Sequence, residues 1–121
     1  SVLPDRAPLF VTLSDGTIRN GYTYKILNKT REVHSFGLSV SGIDASAISV
    51  VGSGQTTTAN ADIRLETRPD SVATFKVYVT VPRAALSGET KAFTFRLRDA
   101  ATGATTSHTT TFHGPSHPVS H

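Results

Sequence analysis

The sequence predicts an all-β, immunoglobulin-like β-sandwich of about seven or eight strands. Three observations favour this fold: apolar and polar residues alternate with a period of two, turn-forming residues separate the alternating segments, and helical periodicity is weak. A chain of 121 residues is long enough to bury one hydrophobic core without disulfide or metal staples. We expect one domain over residues 1–113 and a flexible tail over residues 114–121, where prolines interrupt a segment with little to bury.

The first half of the chain is expected to supply four strands, at residues 9–13, 22–26, 36–40 and 48–51. Asp15 and Gly16 supply turn chemistry after the first strand, and Asn28 does so after the second, because Asp, Asn and Gly tolerate positive φ or bond their own backbone. The tripeptide at residues 28–30 also fits a glycosylation sequon, but a turn closed by Asn28 is the simpler interpretation. A short helical turn at residues 43–47 is the one helix candidate.

The second half is expected to supply the remaining strands, at residues 62–66, 71–82, 89–100 and 105–112, and the threonines at 56–58 suit a half-exposed strand. The segments 71–82 and 89–100 alternate most clearly. The alternation places these side chains in the core: Phe36, Leu38, Phe75, Val77, Val79, Phe93, Phe95 and Leu97. It places three cationic side chains on exposed faces: Lys76, Arg96 and Arg98.

Composition excludes several classes of function. The chain has no cysteine, which rules out disulfides, cysteine-based zinc sites and iron–sulfur clusters within it. A net charge of +3 is scattered rather than clustered, so we expect no nucleic acid partner. No apolar run reaches the roughly 18 residues of a membrane span, and the first residues lack the pattern of a signal peptide.

The opening of the chain carries a family resemblance. The residues that carry it are Asp5-Arg6, Pro8-Leu9-Phe10-Val11, Leu13-Ser14-Asp15-Gly16, Ile18-Arg19-Asn20-Gly21-Tyr22 and Lys25-Ile26-Leu27-Asn28-Lys29. This opening resembles the C-terminal domain of FixG-type proteins, the cytochrome c oxidase accessory proteins also called CcoG. The resemblance implies a parent protein with several transmembrane helices on the N-terminal side of this domain, and with cysteines that bind two 4Fe-4S clusters elsewhere. This chain itself would hold no cofactor.

The same resemblance implies a function. The chain would be a noncatalytic, periplasmic module of an inner-membrane protein that serves assembly of a cbb3-type cytochrome c oxidase and copper supply. It would position or recruit a partner, with oxidase subunits and copper chaperones as candidates. The exposed cations Lys76, Arg96 and Arg98 are the candidate docking residues, although a solvated sheet face is the default interpretation of such cations.

Two other functions stay open at this point. The first is direct copper binding, with imidazole ligands from His108, His113, His117 and His121. Against it, the chain has neither Met nor Cys, and prolines break the tail. His108 and His113 also differ by an odd number, so a continuous strand would point them to opposite faces unless a bulge intervened. The second is an adhesion or carbohydrate-binding sandwich, which the absence of tryptophan disfavours.

Other candidate sites have simple structural interpretations. The short Gly52-Ser53-Gly54 segment lacks the strand, loop and helix of a phosphate cradle, and no Gly-x-Ser-x-Gly elbow occurs. Asp62 and Glu66 share one strand face and are expected to be solvated charges. His34 is expected at a strand end rather than in a metal site.

Overall fold

Ten strands make up the described part of the computed structural model, which covers residues 1–51, 56–57 and 62–115. In chain order they are β1 (Val2–Pro4), β2 (Val11–Thr12), β3 (Ile18–Asn28), β4 (His34–Ser41), β5 (Ala47–Val50), β6 (Thr56–Thr57), β7 (Ile63–Thr67), β8 (Ser71–Val81), β9 (Thr90–Asp99) and β10 (Thr105–His113). A short 3-10 helix spans Arg83–Ala85. The prediction of an all-β fold is confirmed.

The strands form two antiparallel sheets that pack face to face. The six-stranded sheet has the order β1-β3-β8-β5-β6, with β2 also paired to β3, and the four-stranded sheet has the order β10-β9-β4-β7. The longest ladder joins β3 to β8 without interruption, from Ile18 opposite Val81 to Asn28 opposite Ser71. This arrangement is the sandwich that the alternating sequence predicts.

The core lies between the sheets and is rich in aromatic rings. Tyr22, Phe93 and Phe95 meet edge to face, with centroid separations of 5.1 to 5.5 Å. Six of the eight side chains predicted for the core are buried: Leu38, Val77, Val79, Phe93, Phe95 and Leu97. The exposure of Arg96 and Arg98 is confirmed as well, because the register of β9 leaves both on its outer face.

Two predicted core residues, Phe36 and Phe75, are only partly buried, so that part of the prediction is wrong. Phe36 lies near the beginning of β4, where its ring stacks on His34 at the open end of the sandwich. Phe75 lies beyond the paired part of β5, whose last partner on β8 is Val77. Alternation identifies the face on which a residue lies, but not how far neighbouring strands extend to cover it.

Some local predictions also differ from the structure. The segment 43–47 forms no helix; it contains bends and then enters β5. The predicted strand at 9–13 is shorter in the structure, at Val11–Thr12. The sequence does not predict β1, because three residues that end in proline show no measurable alternation. The turn at Asp15 is as expected: Gly16 has φ +88°, and the Asp15 carboxylate accepts hydrogen bonds from the Thr17 N–H and hydroxyl.

Asn20 and Tyr22 connect the two sheets by hydrogen bonds. The Asn20 amide donates to the His113 carbonyl and accepts from the His113 N–H, both at 2.8 Å. The Tyr22 hydroxyl donates to the Thr111 carbonyl at 2.8 Å, and burial raises the pKa of Tyr22 far above its ordinary value. These bonds hold the end of β10 against β3.

Ordered structure continues beyond residue 113, the predicted end of the domain. Gly114 is buried, and its N–H donates to the Glu89 carbonyl at 2.8 Å. The rest of the predicted tail, from residue 116 onward, lies outside the described residues, as does the Gly52-Ser53-Gly54 segment. In the part of the chain that the structure describes, no helix has the length and apolar character needed to cross a membrane.

Candidate functional site

A groove of about 560 Å³ opens at the end of the sandwich where β4 begins and β9 ends. Its wall includes His34, Phe36, Arg64 and Arg98, together with Ala100 in the β9–β10 loop. The groove combines an aromatic surface with charged side chains. The sequence alone does not predict this groove, because its residues come from three separate segments of the chain.

The His34 imidazole lies against the Asp99 carboxylate at this groove. The His34 Nε2 lies 2.7 Å from the Asp99 Oδ2, and both side chains are about one-fifth exposed, at 22% and 20%. The His34 ring also stacks on Phe36, with centroids 5.0 Å apart. The register of β4 and β9 creates the pair, since Asp99 lies directly opposite Phe36. His34 is the first residue of β4, so its expected position at a strand end is correct.

The contacts of Asp99 predict how its contribution to the stability of the fold depends on pH. The His34 imidazole beside it, aided by the N–H groups of Ala101 and Thr102, holds the pKa of Asp99 below its ordinary value of 3.8. A carboxylate with a lowered pKa stabilises the fold above its unfolded-state pKa, and this stabilisation disappears as the pH falls through the lower folded value. We therefore expect the stability difference between wild type and Asp99→Asn to shrink as the pH falls below 3.8.

Urea unfolding of both proteins at pH 6 and at pH 2.5 would measure this difference. The other carboxylates titrate in both proteins and cancel in the comparison. A difference that stayed constant across this range would show that the Asp99 charge contributes nothing.

The outer face of the four-stranded sheet carries three arginines, which we call the arginine face: Arg64, Arg96 and Arg98. Arg98 and Arg64 lie on either side of Gly37, and Arg96 lies opposite Ser39. Gly37 leaves room for the Asp62 carboxylate: a Cβ at Gly37 would lie 2.8 Å from the Asp62 Oδ2. The Asp62 side chain thus lies over Gly37, between Arg64 and Arg98, whereas Arg96 has the small Ser39 as its neighbour on β4.

The three arginines differ in their contacts. The Arg64 Nε lies 3.6 Å from the Glu66 Oε1, and the Arg64 Nη2 donates to the Ser35 hydroxyl at 3.1 Å. Arg96 and Arg98 form no ion pair with any residue that the structure describes. Two predicted docking residues are thus available at one surface, and the structure adds Arg64 beside them.

Lys76, the third predicted docking residue, does not belong to this surface. It lies on β8 in the other sheet, and its ammonium group is paired with the Asp5 carboxylate. Only 32% of its side chain is exposed, so the prediction of an exposed Lys76 is wrong. The pairing is possible because Gly21 lies beneath Asp5: a Cβ at Gly21 would clash with the Asp5 carboxylate. A glycine inside a strand is the sequence signal for such a close approach.

The structure places two of the four candidate copper ligands, and it separates them. The β9–β10 ladder runs without a bulge from Thr105 to His113, so His108 and His113 lie on opposite faces. The His108 ring packs edge-on against Tyr24 on the core side. His117 and His121 lie outside the described residues. Within the described ranges, no group of three or more His, Cys, Asp or Glu side chains could hold a metal.

A titration with Cu(II) tests this arrangement. We expect that neither His108 nor His113 contributes to stoichiometric Cu(II) binding with a submicromolar dissociation constant, because the two side chains lie on opposite faces of β10. Calorimetry would compare the wild type with His108→Ala, with His113→Ala and with a chain ending at Gly114. Tight binding lost in His113→Ala would restore the copper hypothesis.

Comparison with known proteins identifies the family. The family described as "IG-like fold at C-terminal of FixG, putative oxidoreductase" matches residues 1–115. The nitrogen fixation protein FixG of Rhizobium meliloti is 35% identical over 99 residues, which are 82% of this chain and 18% of that protein. Protein RdxB of Cereibacter sphaeroides is 32% identical over 116 residues, 94% of this chain and 23% of that protein. The chain thus spans about a fifth of the length of these relatives.

Solved structures agree on the fold. The FixG-related protein from Vibrio parahaemolyticus superposes with a TM-score of 0.71 at 24% identity, covering 93% of this chain and 92% of that one. A protein from Archaeoglobus fulgidus superposes with a TM-score of 0.50 at 12% identity, covering 95% and 96%. At these identities the likeness concerns the fold alone. The family match along almost the whole chain decides the assignment: this chain belongs to the family of immunoglobulin-like domains found at the C-terminus of FixG.

Proposed function

We propose that this chain is a noncatalytic, periplasmic module of a membrane-bound iron–sulfur protein of FixG type, and that it positions or recruits a partner during assembly of a cbb3-type cytochrome c oxidase and its copper supply. The observation that carries the proposal is membership of the FixG C-terminal family over residues 1–115. The greater length of the relatives supports a parent protein in which this domain is one part. Membership of this family also argues against an unrelated adhesion or carbohydrate-binding protein.

A role without catalysis agrees with the chemistry of the chain. It contains no cysteine, so clusters bound by cysteine would lie in another part of the parent protein. The His34–Asp99 pair resembles two members of a hydrolytic triad, but the neighbouring Ser35 lies on the opposite face of β4 from His34. The Ser35 hydroxyl also accepts a hydrogen bond from Arg64. Ser35 is therefore not placed to act as a nucleophile, and the hydroxyl of Thr67, opposite His34, donates to the His34 carbonyl instead. We assign the His34–Asp99 pair to holding β4 against the end of β9.

The arginine face is the surface that we assign to recruitment. Guanidinium groups bind carboxylates through two parallel hydrogen bonds, and complementary charge accelerates association. Arg96 and Arg98 are exposed on a central strand, where Gly37 and Ser39 are their neighbours on β4. Two exposed carboxylates, Asp62 and Glu66, lie on the β7 side of the same face, so the three arginines leave a positive excess. This surface suits an acidic face on a subunit of the oxidase or on a copper chaperone.

A test in cells would use the full-length parent protein. We expect deletion of this domain to lower the amount of assembled oxidase, measured by its haem absorbance and oxygen consumption, while the truncated parent stays at its normal level. Replacing Arg96 and Arg98 by Glu should lower the amount of assembled oxidase similarly. Arg83→Glu provides the control, since Arg83 is equally exposed but lies at the other end of the molecule in the 3-10 helix.

The outcomes separate the parts of the proposal. Normal oxidase levels after deletion of the domain would refute the role in assembly. Reduced levels after deletion, together with normal levels in the Arg96→Glu, Arg98→Glu variant, would refute the assignment of the arginine face.

A further inference from the structure

A second surface lies at the end of the sandwich where β3 stops and β8 starts, and it meets the arginine face at the groove, whose wall includes Val33, Arg64 and Arg98. We call it the basic tip; its residues are Lys25, Leu27, Lys29, Arg31, Val33, Arg68 and Val72. Leu27 and Val72 lie directly opposite each other on the outer face of the six-stranded sheet, and they are 55% and 60% exposed. Val33, in the loop that follows, is 58% exposed. Three large aliphatic side chains are thus presented to solvent at one end of the molecule.

Cationic side chains surround these aliphatic groups. They are Lys25, Lys29, Arg31 and Arg68, all of them exposed. None of the four forms an ion pair with a residue in the described ranges. Two exposed carboxylates, Glu32 and Asp70, lie in the same loops, so the tip keeps a positive excess.

Asn28 holds the tip in one conformation. Its side chain is buried, and its amide donates to the carbonyls of Glu32 at 2.9 Å and Arg68 at 3.0 Å. Its oxygen accepts from the N–H and the hydroxyl of Thr30. The Asp70 N–H donates to the Thr30 carbonyl and joins the two loops again. The aliphatic and cationic groups are therefore arranged before any partner binds.

We propose that the basic tip docks on the surface of a bilayer containing anionic phospholipid. Aliphatic side chains ringed by Lys and Arg are the chemistry of interfacial binding: the apolar groups enter the headgroup boundary and the cations attract anionic headgroups. Long basic side chains can also lie along apolar surface while their charges reach the phosphates. A carboxylate-bearing protein partner suits the arginine face better, since none of the large exposed aliphatic side chains in the described ranges belongs to a strand of that sheet.

The path of the chain supports this orientation. The Lys25 N–H donates to the Ser1 carbonyl at 2.9 Å, and Val2 pairs with Tyr24, so β1 begins beside the basic tip. The family's domains lie at the C-terminus of FixG, so the rest of such a protein precedes this point. The inference rests on the proposed function for the presence of a nearby membrane.

Vesicle sedimentation tests the proposal with the 121-residue protein at low salt, where surface charges are little screened. We expect binding to mixed phosphatidylglycerol–phosphatidylcholine vesicles and none to phosphatidylcholine alone. Each cation removed from the tip should weaken binding about fivefold, so Lys29→Ser with Arg31→Ser should weaken it roughly 25-fold. Leu27→Ser with Val72→Ser should also reduce binding, because these side chains would no longer enter the headgroup region.

The matched control is Arg83→Ser with Lys91→Ser, which removes the same charge from the 3-10 helix and the start of β9, away from the tip, and should leave vesicle binding unchanged. Equal weakening by this control, or full binding after the Leu27 and Val72 substitutions, would overturn the proposal, as would failure to bind anionic vesicles. Thermal unfolding of each variant would verify that it is folded. These results are independent of the oxidase assay, in which Arg96 and Arg98 are the residues changed, so either proposal can fail alone.

Discussion

Replacing Phe95 by alanine should lower the free energy of unfolding by about 3–5 kcal/mol, the range found when a buried phenylalanine is truncated. Phe95 is completely buried, and its ring centroid lies 5.1 Å from Tyr22, 5.6 Å from Tyr24 and 5.1 Å from Phe93. Removing the ring would leave a cavity between two sheets whose strands are fixed by their ladders. Urea unfolding followed by circular dichroism would measure the loss.

Phe36→Ala is the matched control for this prediction. The same ring is removed, but Phe36 is only partly buried at the groove, where water can replace it. We expect a clearly smaller loss of stability than for Phe95→Ala. Equal losses would mean that Phe36 contributes to the core as fully as the alternation in the sequence predicts.

Replacing Asn28 by aspartate should lower the free energy of unfolding by on the order of 2–4 kcal/mol at pH 7. The Asn28 amide donates to the carbonyls of Glu32 and Arg68, and the residue is 3% exposed. A carboxylate cannot donate, so it would leave both carbonyls without that donor and place an oxygen against them. Denaturant unfolding at neutral pH would measure the effect.

Measuring the same variant at a lower pH provides a control. Burial and the facing carbonyls would raise the pKa of an aspartate at this position, and the protonated acid could donate one hydrogen bond. The stability that Asn28→Asp loses relative to wild type should therefore decrease between pH 7 and pH 4. An unchanged loss over this interval would show that hydrogen-bond donation at residue 28 is not what holds the two loops.

Sequence predicted well the features that depend on neighbours in the chain. The side chains of β9 that face the core follow from alternation over a long strand. The turn at Asn28 follows from its side-chain oxygen, which accepts a hydrogen bond from the N–H two residues later. The contact between Asn28 and Arg68 could not be predicted, because it joins residues 40 positions apart. Its geometry depends on the completed pairing of β3 with β8.

The functional surfaces illustrate the same limit. Lys76 has the alternation of an exposed residue, and only the pairing of β1 with β3 brings Asp5 to it. His34 and Asp99 meet through the register of β4 and β9. Arg64 joins Arg96 and Arg98 because β4 lies between β7 and β9, an order that no local pattern contains. The sequence identifies most of the strands. It does not give their pairing order or register, and the candidate site depends on both.

The contact between Asn20 and His113 has a consequence for solubility. β10 is an edge strand, and the N–H and carbonyl groups of an exposed edge are a template on which another chain can add a strand. At His113 both groups are already bonded to Asn20, and the Thr111 carbonyl is bonded to Tyr22. Two side chains from the opposite sheet thus substitute for a missing neighbour strand and protect the last part of β10 from edge-to-edge aggregation.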